Sequence, residues 1–236
     1  MPSRTSAARL IPVSQKSEQK NAIPGPAVET PVYDPNVPEP SSRAELQKYW
    51  MNLTLNEKTA QKMLWVSEGG SKVVRLTEEV CPYLDRPERF ELTPQVLCNE
   101  GLWGTRGYWE VTVSGWVVIG ATYERVGRKA YDGPSGLGEN DESWGVGWAG
   151  SCYHAWHKGQ VVEVMGIPHC STLGMYVDQP AGLINFYLVE CKQEGEEDTG
   201  KKEVKLIYKF QNPMTERIVP GIWVGRSSSC CILKKD

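Results

Sequence analysis

Several signals are missing from this chain of 236 residues. No apolar run approaches the roughly 20 residues that a membrane-crossing helix needs. The first ten residues carry arginines but no apolar segment, so they do not read as a secretory signal. Charge of one sign is scarce: a formal net charge of −3, with no basic stripe, argues against a nucleic-acid surface. There are 3 histidines and 7 cysteines, an odd number without a Cys-x-x-Cys pair. That pattern disfavours a disulfide framework and points to a reducing, cytoplasmic setting.

Proline is unevenly spread. Residues 1–40 hold eight of the 16 prolines, with few apolar side chains between them. Such a stretch cannot bury enough apolar area to offset its ordering entropy, so residues 1–41 are expected to be a disordered tail or linker. Order is expected from Ser42, which stands three residues before Glu45 as at a helix start. Leu46, Tyr49 and Trp50 then share one helical face. The same spacing from Thr54 to Glu57 suggests a further helical turn. A strand over Met63 to Val66, a turn at Glu68 to Ser71 and a return strand from Lys72 to Arg75 complete this part.

Beyond it the period changes to two. Trp109, Val111 and Val113 oppose Tyr108, Glu110 and Thr112 between Gly107 and Gly115, as on a strand with one buried face. Leu173, Met175 and Val177 oppose Tyr176 and Asp178. Ile184, Phe186 and Leu188 oppose Asn185 and Tyr187. Val204, Leu206, Tyr208 and Phe210 oppose Lys205 and Lys209. An antiparallel all-β sandwich from about residue 60 onward follows. Glu190 to Glu203 is acidic and reads as a solvated hairpin turn.

The chemistry-bearing residues are weak candidates for catalysis. Gly133 to Gly138 lacks the Gly-Lys-Ser/Thr ending of a phosphate loop, and neither Ser143 nor Ser151 sits in a nucleophile elbow. Cys152, His154 and His157 do not converge on one strand face, so no metal site is read there. No catalytic residue, cofactor or metal is assigned, and the chain is not expected to be an enzyme. Trp144 and Trp148 are expected in the core, with Gly145 and Gly147 marking close backbone approach.

Three groups of residues together resemble the PRY half of a B30.2 domain: Leu53-Thr54-Leu55-Asn56 with Thr59-Ala60, Arg86-Pro87-Glu88-Arg89-Phe90, and Gln95-Val96-Leu97-Cys98. Tyr108-Trp109-Glu110-Val111, Asn140-Asp141-Glu142-Ser143-Trp144 and Leu173-Gly174-Met175-Tyr176-Val177-Asp178 through Tyr187 resemble its SPRY half. The likeness covers about residues 42–234, with PRY over about 42–100 and SPRY over about 101–234, and is greatest to the C-terminal domains of tripartite-motif proteins and their fish relatives.

The resemblance implies a bent antiparallel two-sheet sandwich with a short N-terminal helix, whose loops at one end bind a protein or peptide. It implies service in innate-immune or ubiquitin-pathway signalling, with a RING-containing chain as a further partner. No cysteine-histidine array for a RING or B-box lies upstream. Two alternatives stand beside the interaction module: the recognition part of a RING-type ligase whose catalytic region is absent here, and an accessory domain of a larger assembly such as a toxin. The resemblance also implies binding tryptophans near the Trp144 strand, but here Gly147 and Ala149 occupy its outward positions, so an aromatic contact from that strand is not expected. The binding residues expected instead are Tyr123, Arg125, Arg128, Lys129, Tyr131, Asn140 and Asp141 around the long Lys129–Glu142 loop. Tyr83 and Asp85 come from the PRY loop, and Trp156 and His157 from a third tip.

Overall fold

The computed structural model describes residues 32–76, 79–191 and 202–235, with backbone alone for Cys191. A short α-helix, α1 (Arg43–Leu46), running on into a 3-10 turn over Gln47–Tyr49, precedes the strands. Ser42 caps it by accepting from the Glu45 N–H at 3.3 Å, while the Glu45 carboxylate reaches back to the Ser41 N–H at 2.8 Å. The strands begin with β1 (Trp65–Ser67), β2 (Lys72–Arg75), β3 (Gln95–Leu97), β4 (Arg106–Ser114) and β5 (Val117–Tyr123). Next come β6 (Ser143–Trp148), β7 (Tyr153–His157), β8 (Gln160–Val164) and β9 (Thr172–Asp178). The series ends with β10 (Leu183–Cys191), β11 (Lys202–Gln211), β12 (Ile218–Val224) and β13 (Ser228–Ile232).

They pair antiparallel into two sheets, one ordered β1-β2-β13-β4-β9-β10-β11 and the other β3-β12-β5-β6-β7-β8. The chain crosses between them at Gly115-Trp116, where β4 of the first sheet gives way to β5 of the second. The expected all-β two-sheet sandwich is thus the observed fold. Its core lies between the sheets, where Trp109, Val111, Met175, Phe186 and Leu188 meet Ile119, Trp144, Val146 and Ala155. The alternation of β4, β9 and β10 puts these residues inward as expected.

Four local expectations need correcting. The outer face of β4 is not solvated: Tyr108 and Glu110 are fully buried. Residues 33–50 run across it, and Leu46, Tyr49 and Trp50 pack on Tyr108, Tyr176, Leu183 and Tyr187. Second, no helical turn forms at Thr54–Glu57, because the Thr54 N–H and hydroxyl both donate to the Glu100 carboxylate, at 2.7 and 2.8 Å. Third, the first strand starts at Trp65 rather than Met63. The fourth correction concerns β11. A register shift against Phe186 and Tyr187 inserts Ile207, which enters the core while Leu206 turns outward. The acidic turn expected within Glu190–Glu203 and the tail over residues 1–31 lie outside the described residues.

Residues 33–41, assigned above to the tail, contribute to the cover. The Tyr33 hydroxyl donates to Asp178 at 3.0 Å, and the Arg106 guanidinium lies 4.3 Å over the Tyr33 ring while its Nε donates to Asp178 at 2.6 Å. Glu39 accepts from Asn185 and Lys209, both at 2.6 Å. These bonds supply the ordering that proline and low apolar content alone do not.

Candidate functional site

The second sheet leaves part of its outer face open. Along β6, Trp144 and Val146 turn inward, so Gly145 and Gly147 face out; along β7, Tyr153 and Ala155 turn inward, so His154 and Trp156 face out. Gly147 packs against β5 and admits no side chain: a Cβ there would lie 2.5 Å from the Val117 carbonyl oxygen. Beside it Trp116, Trp148, His154, Trp156 and His169, with the small residues Gly115, Ala149 and Gly150, line a groove of about 700 Å³. Trp116, 52% exposed, leans edge-on against Trp223 with ring centres 5.1 Å apart. Trp148 straddles two environments, edge-on to Tyr153 at 5.0 Å on the core side and to His169 at 5.2 Å outside. His154 and Trp156 meet edge to face at 5.5 Å.

No lining residue of this groove carries a fixed charge. Three indoles held by neighbouring rings give a rigid apolar surface with N–H donors, a composition that anchors aromatic or aliphatic side chains of a binding partner at little entropic cost. The expectation, drawn from Gly147 and Ala149, of no aromatic contact from this strand needs correcting: β6 itself supplies Trp148 at its end, and the other indoles come from the sheet crossing at Trp116 and from β7 at Trp156.

The long loop forms a second, polar groove of about 540 Å³ at the other end of β5 and β6. Arg125, Arg128, Lys129, Tyr131, Asn140 and Asp141 line it together with Pro87. Lys129 ties it to the PRY loop by donating to the Arg86 and Arg89 carbonyls at 2.8 and 3.1 Å. The Asp132 carboxylate accepts from the Lys129 and Arg128 N–H groups, and these bonds hold it below the usual carboxylate range. Arg125 pairs with Glu142 and with Glu216. Arg128 stacks over Phe90 at 4.5 Å, and burial pulls its pKa down. Tyr131, 86% exposed, lines the rim of the groove.

The structure therefore divides the expected site residues. Six of them gather in the polar groove. Trp156 belongs to the aromatic groove. Tyr123 is in the core, edge-on to Trp144 at 5.6 Å. His157 stacks on Trp144 at 4.9 Å and bonds the Ser143 carbonyl at 2.8 Å, with its pKa lowered by burial. Tyr83 accepts from the Val66 N–H at 3.1 Å beneath the Arg89 guanidinium; burial pushes its pKa up to about 12. Asp85 is exposed and pairs with Lys62 at 2.8 Å. Trp116, Trp148, His154 and His169 were missed as binding candidates. The one signal for Trp116 was its place after Gly115, where a strand breaks and a large aromatic has no core position to fill. Among the described residues no group of three His, Cys, Asp or Glu side chains could hold a metal ion.

Comparison with known proteins agrees with this architecture. Residues 53–102 match the SPRY-associated (PRY) domain model and residues 106–235 the SPRY domain model. The chain is 34% identical to stonustoxin subunit beta of Synanceia horrida over 83% of its own length and 26% of the toxin subunit. It is 31% identical to tripartite motif-containing protein 16 of Mus musculus, over 84% of this chain and 34% of that protein. The chain thus spans about a quarter to a third of the length of these relatives. Among solved structures, stonustoxin superposes with a TM-score of 0.70 at 33% identity, covering 81% of this chain and 28% of that one. The TRIM65 PSpry domain superposes with a TM-score of 0.68 at 24% identity, over 84% of this chain and all of that one, and shows the fold alone. The chain belongs to the SPRY domain family, its SPRY half preceded by the PRY segment that completes a B30.2 unit.

Proposed function

We propose that this domain recognises a target protein by gripping an apolar side chain in the Trp116–Trp148–Trp156 groove, with the polar loop groove adding contacts to the same or a larger partner. The observation that carries this reading is a concave, uncharged, tryptophan-lined surface. Solvent-exposed apolar patches of this kind mark interaction sites. The domain has a binding role and no catalytic one, and it works in the cytoplasm. The six described cysteines outside Cys191 are free thiols, which suits that compartment. Similarity to a tripartite-motif protein supports a role in innate-immune or ubiquitin-pathway signalling, with a RING-containing chain supplying any ligase chemistry.

Similarity to stonustoxin supports a second reading, an accessory domain of a larger assembly. Secretion of the native protein favours that reading, and cytosolic residence favours the first.

Affinity capture with the wild-type chain, a Trp116→Ala/Trp156→Ala variant and Tyr131→Ala tests the assignment. The expected result is loss of the captured partner by about tenfold or more in the double tryptophan variant, the size of a hot-spot truncation. Full retention there with loss in Tyr131→Ala would move the site to the polar groove.

A further inference from the structure

An open sheet ends in edge strands whose outward N–H and C=O groups have no ladder partner, and folded proteins cover or charge such edges. Three of the four edges here are managed. β1 is three residues long, and its Val66 N–H donates to the Tyr83 hydroxyl. β3 is capped by the turn before it: the Asn56 and Gln61 N–H groups donate to the Leu97 and Gln95 carbonyls at 2.8 and 3.1 Å. β11 carries Lys202, Glu203, Lys205 and Lys209. β8 differs. Its five residues hold one charge, Glu163; Val161 and Val162 are 51% and 44% exposed, and Met165 just beyond is 71% exposed.

The register identifies which groups are free. The β7–β8 hairpin turns through Lys158 and Gly159, with φ of +56° and +69°, and sets His157 opposite Gln160, Ala155 opposite Val162 and Tyr153 opposite Val164. The pair flanking such a two-residue turn exchanges both ladder bonds, and bonded pairs then recur at every second residue. Gln160, Val162 and Val164 are therefore spent on β7. Val161 and Glu163 direct their N–H and C=O groups away from it, and among the described residues no partner meets them.

We propose that β8 is the contact through which a second copy of this chain joins, antiparallel about a two-fold axis at Val162, so that two six-stranded sheets become continuous. The strand's own charge pattern is compatible with a copy of itself as occupant, because its one charged residue, Glu163, then meets Val161 and not a second carboxylate. In the register that uses both bonding residues, Val161 faces Glu163 of the second copy and Val162 faces Val162. Four ladder bonds form. A slip one way would put Glu163 directly against Glu163, a like-charge pair that is destabilising. A slip the other way would spend a bonding pair on the turn residue Gly159. A contact of this length buries much less than the roughly 1,600 Å² of a standard interface, so half-association is expected at protein concentrations on the order of 100 µM.

Sedimentation velocity of the full chain over a concentration series, combined with residue-resolved amide exchange, tests the contact. Association with concentration is expected, with slowed exchange at the Val161 and Glu163 amides and little change at Val162 and Val164, already bonded to β7. Val161→Pro removes one outward N–H and leaves the β7 ladder intact, so dimer should be lost without a shift in melting midpoint. If that variant unfolds, the exchange pattern of the wild type carries the test by itself. A chain that stays monomeric to about 1 mM, ten times the expected midpoint, overturns the proposal. So does a dimer whose Val161 and Glu163 amides exchange freely, or protection of those amides by a different protein while the chain alone remains monomeric. The groove lies on a face of the sheet and β8 at its side, so partner capture and self-association are separate readouts.

Discussion

The two sheets solve the same problem differently. Each has an inner face in the shared core and an outer face with large aromatics. On the β4-β9-β10 side, Tyr108, Tyr176 and Tyr187 are covered by residues 33–50 of the same chain. That cover brings Arg43 against Glu110, at 2.7 and 2.9 Å, with the Tyr108 hydroxyl donating to the same carboxylate at 2.7 Å. Burial and the Glu110 charge push the Tyr108 hydroxyl far above its ordinary pKa, and burial lifts Tyr187 to about 12. On the β5-β6-β7 side, Trp116 and Trp156 line a groove with no such cover among the described residues. An aromatic sheet face that the chain covers itself becomes part of the fold; one left open is available to another molecule.

The largest expected effect lies on the covered side. Arg43→Ala strands the buried Glu110 carboxylate, a loss on the order of 3 kcal/mol in chemical denaturation. Partner capture through the groove should persist in whatever fraction stays folded. If the stability loss is negligible, the segment is a loose appendage and the contrast between the faces fails.

A smaller effect is expected at His157, between core and open face. Its folded-state pKa lies below the ordinary 6.5 because burial disfavours the imidazolium. Stability is then fully present above that value. It declines as pH falls from 6.5 toward the folded pKa, because the unfolded chain takes up a proton that the folded one refuses. Thermal midpoints measured from about pH 7.5 to about pH 5.5 should fall less in His157→Gln than in the wild type. Equal slopes would mean that protonation costs the stacked ring nothing.

The smallest effect belongs to the open side. Trp116→Ala removes a half-exposed ring and one edge-on contact with Trp223, so its stability change should stay within about 1 kcal/mol even as partner capture is lost. A loss comparable to that of Arg43→Ala would make Trp116 a core residue rather than a binding one.

Much of the scaffold was legible because it is set locally. The period-two runs of β4, β9 and β10 have the inward side expected of them, and the Ser42 cap starts α1. Legibility failed where a distant group intervened. Thr54 looked like a helix cap until Glu100 took its N–H and hydroxyl. The β11 pattern looked unbroken because a bulge adds one residue without altering composition. Tyr108 and Glu110 looked solvated because alternation cannot show that another segment will lie over the outer side. Arg125, Arg128, Lys129, Tyr131, Asn140 and Asp141 do share one groove, as a single loop closed on its neighbours can be expected to arrange. The aromatic groove draws on residues from 115 to 169, and no short stretch of sequence announces it.

The order of amino acids alone determined that paired strands would form, which residues would turn toward a common core, and that the chain would resemble a PRY-SPRY unit. Those outcomes follow from side-chain alternation and turn chemistry acting over a few neighbours. Tertiary structure decided which outer face is closed by the chain's own N-terminal residues, which tryptophans remain open, and that β8 is left bare. Each of these depends on groups far apart in sequence competing for the same surface.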